Sequence, residues 1–137
     1  MGAAAVVVGL ASSYLKAGLA DQALSAAEQA LNVIEQTGAR MSAAELCRLR
    51  GEALLTRGAP FEAQAQTCFE QAIAIAREQE ARSWELRAVM SLARLFARLG
   101  RRDEARAMLA EIYGWFTEGF DTADLKDAKA LLEELRD

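Results

Sequence analysis

The chain contains no histidine. It therefore lacks both the commonest general base near neutral pH and the commonest neutral metal ligand. It has one proline, Pro60, which leaves long stretches free to run as unbroken helix. Its two cysteines, Cys47 and Cys68, form no Cys-x-x-Cys pair. Each falls at an apolar helical position and is read as a small buried hydrophobe. That use of cysteine fits a reducing, cytoplasmic setting. Runs of β-branched residues are absent apart from Val6-Val7-Val8. No phosphate-binding glycine loop, dinucleotide fingerprint or nucleophile elbow is present. With 16 basic and 20 acidic residues the net charge is −4, so there is no surplus of positive charge to draw nucleic acid. The opening stretch MGAAAVVVGLASSYL is too short an apolar run to span a bilayer, which takes about 20 residues. No basic residue precedes it as in a secretory signal, and Val6 stands where a myristoylation signal needs Ser or Thr. From these absences we expect no catalytic activity, no cofactor or metal, no membrane association and no direct nucleic-acid binding.

What remains is a helical composition. Apolar residues make up 53% and charged residues 26% of the 137, a globular balance. Alanine, leucine, glutamate and arginine dominate, all good helix formers. Glycines then divide the chain at a repeating distance. Gly18 in LKAGLADQAL, Gly58 in LTRGAPFEAQA and Gly100 in ARLGRRDEARA are 40 and 42 residues apart. A period of this size, with apolar helical stretches on both sides of each glycine, points to repeated helical hairpins. Seven helices are expected, at about 3–17, 20–36, 42–57, 60–80, 83–99, 101–118 and 122–136. Ser42 with Glu45 reads as a capping box, Pro60 suits a first turn, and Asp103 and Glu104 suit the positive start of the sixth helix. The break between helices four and five falls in REQEARSWEL and is short, with a nearly continuous helix as the alternative there.

Inside each unit the pattern resembles the tetratricopeptide repeat. A large apolar residue, a glycine and a set of small and bulky residues follow in order: Tyr14, Gly18, Ala23, Ala27 and Ala30, then Leu54, Gly58, Ala65, Phe69 and Ala72, then Phe96, Gly100, Ala105, Leu109 and Ile112. Gly51 and Ala93 supply the small residue of the first helix in units two and three. Small residues let paired helices approach closely, and the larger ones fill the gaps beside them. The resemblance implies an all-α, right-handed hairpin solenoid over residues 1–137, with hairpins at about 3–36, 42–80 and 83–118 and a capping helix at about 122–136. The repeat is longer than the family's, which is about 34 residues, and the excess lies in the second helices.

In such hairpins the first helix of each pair lines a concave groove. The groove-facing residues would be Ser12 and Lys16, then Arg48 and Glu52, then Arg87, Arg94 and Arg98. Seven arginines between Arg82 and Arg106 oppose only Glu85, Asp103 and Glu104. A groove so lined suits an acidic peptide or a carboxylate terminus. The competing reading is that these arginines pair with nearby glutamates and only solubilise the helix. From about Arg48 onward, the stretches CFEQAIAIAREQEARSWELRAVMSLARL and GRRDEARAMLAEIYGWFTEGFDTADLKDAKALLEEL resemble the C-terminal tail of large bacterial regulators. There an adenylate/guanylate cyclase or DNA-binding domain precedes an AAA-type ATPase module and then a tetratricopeptide-like tail. The resemblance implies an interaction module of a signalling protein that binds a protein or peptide, with an effector-sensing groove for a small anionic ligand as the alternative.

Two terminal features complete the reading. The first helix is apolar all round, and with Met1 at its start a second copy of the chain is the expected cover, through Val6, Val7 and Leu10. At the other end, Gly119 is expected just past the sixth helix. Trp115 and Phe120 would then touch across that stop, Asp121 would cap the last helix, and Phe120 would staple to Leu125. Leu125, Ala128, Leu131, Leu132 and Leu135 would face the stack.

Overall fold

The computed structural model describes residues 2–37, 42–119 and 122–136, with side chains from Val7 onward in the first stretch and up to Gln36. Among these residues there are seven α-helices: α1 (Gly2–Lys16), α2 (Ala20–Thr37), α3 (Ala43–Thr56), α4 (Glu62–Glu78), α5 (Arg82–Arg98), α6 (Arg102–Tyr113) and α7 (Ala123–Glu134). A 3₁₀ turn, Ala59–Phe61, leads into α4 and carries Pro60. The fold is all-α.

The helices form two layers. Each packs on its neighbours in the chain, but α1, α3, α5 and α7 also meet one another in succession. Among the described residues α2, α4 and α6 make no such contacts with each other. The small residues singled out in the sequence lie where helices are pressed together: Ala23, Ala27, Ala65, Ala72, Ala93 and Ala105 are fully buried. Gly51 shows why the smallest is needed, since a Cβ there would lie 2.5 Å from Cε1 of the buried Phe69 ring. Helix α5 is buried on several sides, by Leu86, Val89, Leu92, Leu95 and Phe96 among others. It touches α3, α4, α6 and α7 and is the spine of the molecule.

Two of the three repeat glycines end a helix in the left-handed conformation, whereas Gly58 (φ 114°, ψ −176°) is extended at the start of the 3₁₀ turn. Gly18 and Gly100 have φ of 79° and 81°. Each closes a six-to-one bond, Leu19 N to Tyr14 O at 2.8 Å and Arg101 N to Phe96 O at 2.8 Å, the stop that a left-handed residue permits. Arg101 also lays its guanidinium 3.9 Å from the Phe96 ring centroid. Helices α4 and α5 are separate rather than continuous. Glu80 adopts φ 55°, and Ala81 N bonds to Ala76 O at 2.9 Å, the same stop built without glycine.

Three local expectations need correction. Helix α6 ends at Tyr113, not near 118. Gly114, a poor helix former, takes its C-cap, and shorter i to i−3 bonds from Trp115 and Phe116 wind it down. Trp115 is therefore outside the helix, and Gly119 (φ 77°) turns the link to α7 instead of ending α6. The cap of α7 is Thr122, not Asp121: its hydroxyl accepts from Leu125 N at 3.4 Å and donates to the Gly119 carbonyl at 2.7 Å. The expected contacts of Phe120 with Trp115 and Leu125 fall on a residue outside the described ones. Ser42 occupies the N-cap of α3 without a side-chain cap bond. Glu45 is turned instead to two guanidinium groups, which bind a carboxylate more strongly than a neutral amide does.

A candidate site on the face of α3, α5 and α7

The layer formed by α3, α5 and α7 carries a connected set of charged side chains. Glu45, in the first turn of α3, is only 5% exposed. Its carboxylate accepts two bonds from Arg48, from Nε at 2.9 Å and Nη2 at 2.8 Å, in the two-pronged geometry that suits guanidinium. It accepts a third from Arg87 Nη1 at 3.3 Å. Arg87 Nε then faces both oxygens of Asp124 on α7, at 3.0 and 3.1 Å. Arg48 Nη1 donates to Ser91 Oγ at 3.3 Å. Ser91 donates onward to Glu52 Oε2 at 2.7 Å. One chain of bonds thus ties three helices.

The electrostatics favour the ionised form of Arg48. Burial works hardest against the Arg48 charge, but the Glu45 hydrogen bond and the charges of Glu45, Glu52 and Asp124 outweigh it and raise its pKa above the usual arginine value. Ser91 is 1% exposed, so its hydroxyl, although bonded to a carboxylate, is closed to a substrate. Among the described residues every buried side-chain nitrogen and oxygen has a hydrogen-bond partner. Within this cluster no buried donor is left aimed at a ligand.

The predicted groove residues divide. Arg48, Glu52 and Arg87 come together in this network. Arg98 pairs at 3.6 Å with Glu62, at the start of α4. Lys16 is exposed at the end of α1 and Arg94 is exposed on α5, and neither has an ion pair with a described residue. Most of the surrounding arginines have structural partners. Arg82 lies 5.2 Å over the Trp115 ring, Arg101 holds Glu104 at 2.8 Å, and Arg106 reaches Asp103 at 3.8 Å. Arg102 donates to the Glu134 carbonyl at the C-terminal end of α7, where positive charge is favoured. Among the proposed self-association residues, Leu10 is 43% exposed. Val7 is half-buried against α2 and α3 residues, and the side chain of Val6 is outside the described set.

Sequence reasoning passed over Glu45 as a site member, and also Ser91 and Asp124. A signal for the first two was present: Glu45 precedes Arg48 by three residues, and Ser91 interrupts an apolar run four residues after Arg87, so each shares a helical face with an arginine. Asp124 is brought in by the packing of α7, which no local spacing announces. The cysteines are unbridged and buried. Burial pushes the Cys68 thiol up, the nearby Arg50 guanidinium opposing it only in part, which disfavours the reactive thiolate. Among the described residues no helix is long and apolar enough to cross a membrane. No cluster of three or more potential metal ligands gathers there either. Set against models of known protein families and against curated proteins, the chain matches none.

Proposed function

We propose that this chain is a non-catalytic protein–protein interaction module: a right-handed hairpin solenoid of tetratricopeptide type, with α7 as its cap, from a bacterial signalling regulator. One observation supports it above the rest. Among the described residues the first helices of successive hairpins touch in series while the second helices do not, which makes one continuous face from the first helices alone. On that face the network of Glu45, Arg48, Arg87 and Asp124 is a brace, and Arg94 is the guanidinium left for a partner. A single exposed guanidinium suits a carboxylate side chain of a bound segment. An enclosed anionic effector would need several free cations, and Arg87 and Arg98 are already engaged. Affinity capture from the native host's lysate with wild type and Arg94→Glu tests this. The variant should lose the wild type's partners while keeping its helical circular dichroism. Recovery of the same partners would remove Arg94 and its face from the site.

The exposed Leu10 on α1 supports a second contact, between two copies of the chain. Sedimentation at micromolar concentration should show a dimer that Leu10→Asp converts to a monomer. A monomeric wild type would end that proposal.

A further inference from the structure

The terminal hairpin segregates its charge. Helix α2 has three charged residues, Asp21, Glu28 and Glu35, spaced by seven and therefore on one flank. Two of them are held by α3, Asp21 by Arg57 and Glu28 by Arg50, each at 3.1 Å. Helix α1 has one charge, Lys16 in its last turn. The outward face of the hairpin is left without any. It is made of Leu10, Ser13 and Ala17 on α1 and of Ala26, Gln29 and Val33 on α2. Leu10 and Val33 are 43% and 56% exposed.

The next hairpin shows what such a face does. Counted from the repeat glycine, Leu10 and Ala17 stand where Arg50 and Arg57 stand on α3, and those arginines reach back to α2. Val33 stands, allowing for the longer turn at Gly58, where Ile75 stands on α4. Ile75 packs on the cluster that holds Ala27, Ala30 and Ile34 of α2. The second hairpin therefore lays this face on the one before it, and in the first hairpin it is open. Its chemistry differs from that of the junctions inside the chain. Those carry ion pairs: Arg50–Glu28 and Arg57–Asp21 between α2 and α3, Arg77–Glu85 and Arg98–Glu62 between α4 and α5. A preceding hairpin built like α1–α2 would bring the acidic flank of its second helix, and α1 has Leu10 and Ala17 in place of the arginines that answer it. A second copy brings the same uncharged face. A two-fold contact sets a patch against itself, so charges there would meet their like and repel. Amide and hydroxyl groups such as Gln29 and Ser13 both donate and accept, and so can pair with their own kind.

We propose that two copies join end to end through this face, with α1 of each lying antiparallel on α2 of the other. Within the chain α3 lies on α2 in that sense, since the end of α3 meets the start of α2 through Arg57 and Asp21. Carried across the two-fold axis, that register sets Leu10 and Ser13 against Gln29 and Ala26 of the second copy, and the two hairpins close a four-helix bundle. The inference rests on the dimer proposed above and adds α2 as the other half of its interface.

Sedimentation equilibrium of the full chain at micromolar concentration tests it. The wild type should be a dimer. Ala26→Glu and Gln29→Glu, which alter α2 alone, should each raise the dimer dissociation constant about tenfold, because each buries a charge against an uncharged face. Mixing Ala26→Glu copies with Ser13→Lys copies should restore association, since the two new charges then meet across the interface. Circular dichroism checks that each variant keeps its helices. Should Ala26→Glu unfold, Gln29→Glu at its exposed position is mixed with Leu10→Lys instead. A monomeric wild type would overturn this inference and the dimer together. A dimer that Leu10→Asp breaks and both α2 variants leave intact would overturn this inference alone, because α1 would then meet α1. Mixtures that associate no better than the single variants would overturn it in the same way.

Discussion

At the scale of single residues, two positions make opposite demands on glycine. Gly51 is needed for space. Its missing side chain leaves room for the Phe69 ring, whose Cε1 would be 2.5 Å from an added Cβ, with two more ring carbons within 3.0 Å. Phe69 is fully buried and cannot swing away. Gly51→Ala gains helix propensity, but the overpacking outweighs it, and a net loss of about 2 kcal/mol is expected. Glu80 is the reverse case. It holds φ 55° with an exposed side chain, a conformation that costs a non-glycine residue about 1 kcal/mol or more. Glu80→Gly should therefore raise stability by about 0.5 kcal/mol once the added freedom of the unfolded chain is set against the relief. Paired urea melts check both. A neutral or stabilising Gly51→Ala would mean that the α3–α4 contact is looser than the geometry states, and a destabilising Glu80→Gly would refute the strain at that turn.

At the scale of elements, the charged brace separates a pair held in the interior from one near the surface. Glu45→Ala removes the carboxylate shared by Arg48 and Arg87 and leaves the Arg48 guanidinium, 19% exposed as a side chain, without its principal partner. The expected loss is about 3 kcal/mol, the scale of a broken buried pair. Asp124→Asn removes one arm of a half-exposed pair and should cost less than about 1 kcal/mol. Thermal melts of the two variants should be clearly apart, and equal losses would show that the brace is not centred on Glu45. These elements also show how far the sequence was readable. The spacing of glycines and alanines marked seven helices and the residues at their contacts, because close packing leaves a repeating signature of small side chains. The end of α6 was misplaced because Gly114 and Gly119 are both plausible stops in isolation, and only the packing of α7 selects between them. The grouping of Arg48, Glu52 and Arg87 was readable from one helical face. Their engagement by Glu45 and Asp124 was not, since it depends on which side chains α5 and α7 bring across.

At the scale of the whole molecule, stability should be graded along the chain. An array in which each helix meets only near neighbours unfolds piecewise, from the end with the weaker interface. The centre is α3, α4 and α5, where Leu54, Phe69, Ile73, Leu86, Val89 and Met90 belong to one large cluster. The contacts among α1, α2 and the start of α3 rest in part on a smaller separate cluster of Ala27, Ala30, Ile34, Ala43 and Leu46, while only Ala23 and Leu24 of α2 join the large one, with Tyr14 and Leu15 of α1 packed against it. Three of the smaller cluster's five members are alanines, which bury little apolar area each. Among the described residues helix α1 meets only α2 and α3, and none of them covers Leu10, 43% exposed. Its amides should therefore exchange through local opening while α3, α4 and α5 exchange through global unfolding. Native-state hydrogen exchange should find protection about a hundredfold higher in the central helices than in α1, a gap of roughly 2.8 kcal/mol. Raising the protein concentration should narrow that gap if two copies cover Leu10, because association stabilises the element it buries. Uniform protection from α1 to α7 at low concentration would contradict the graded array and make the chain a single cooperative unit.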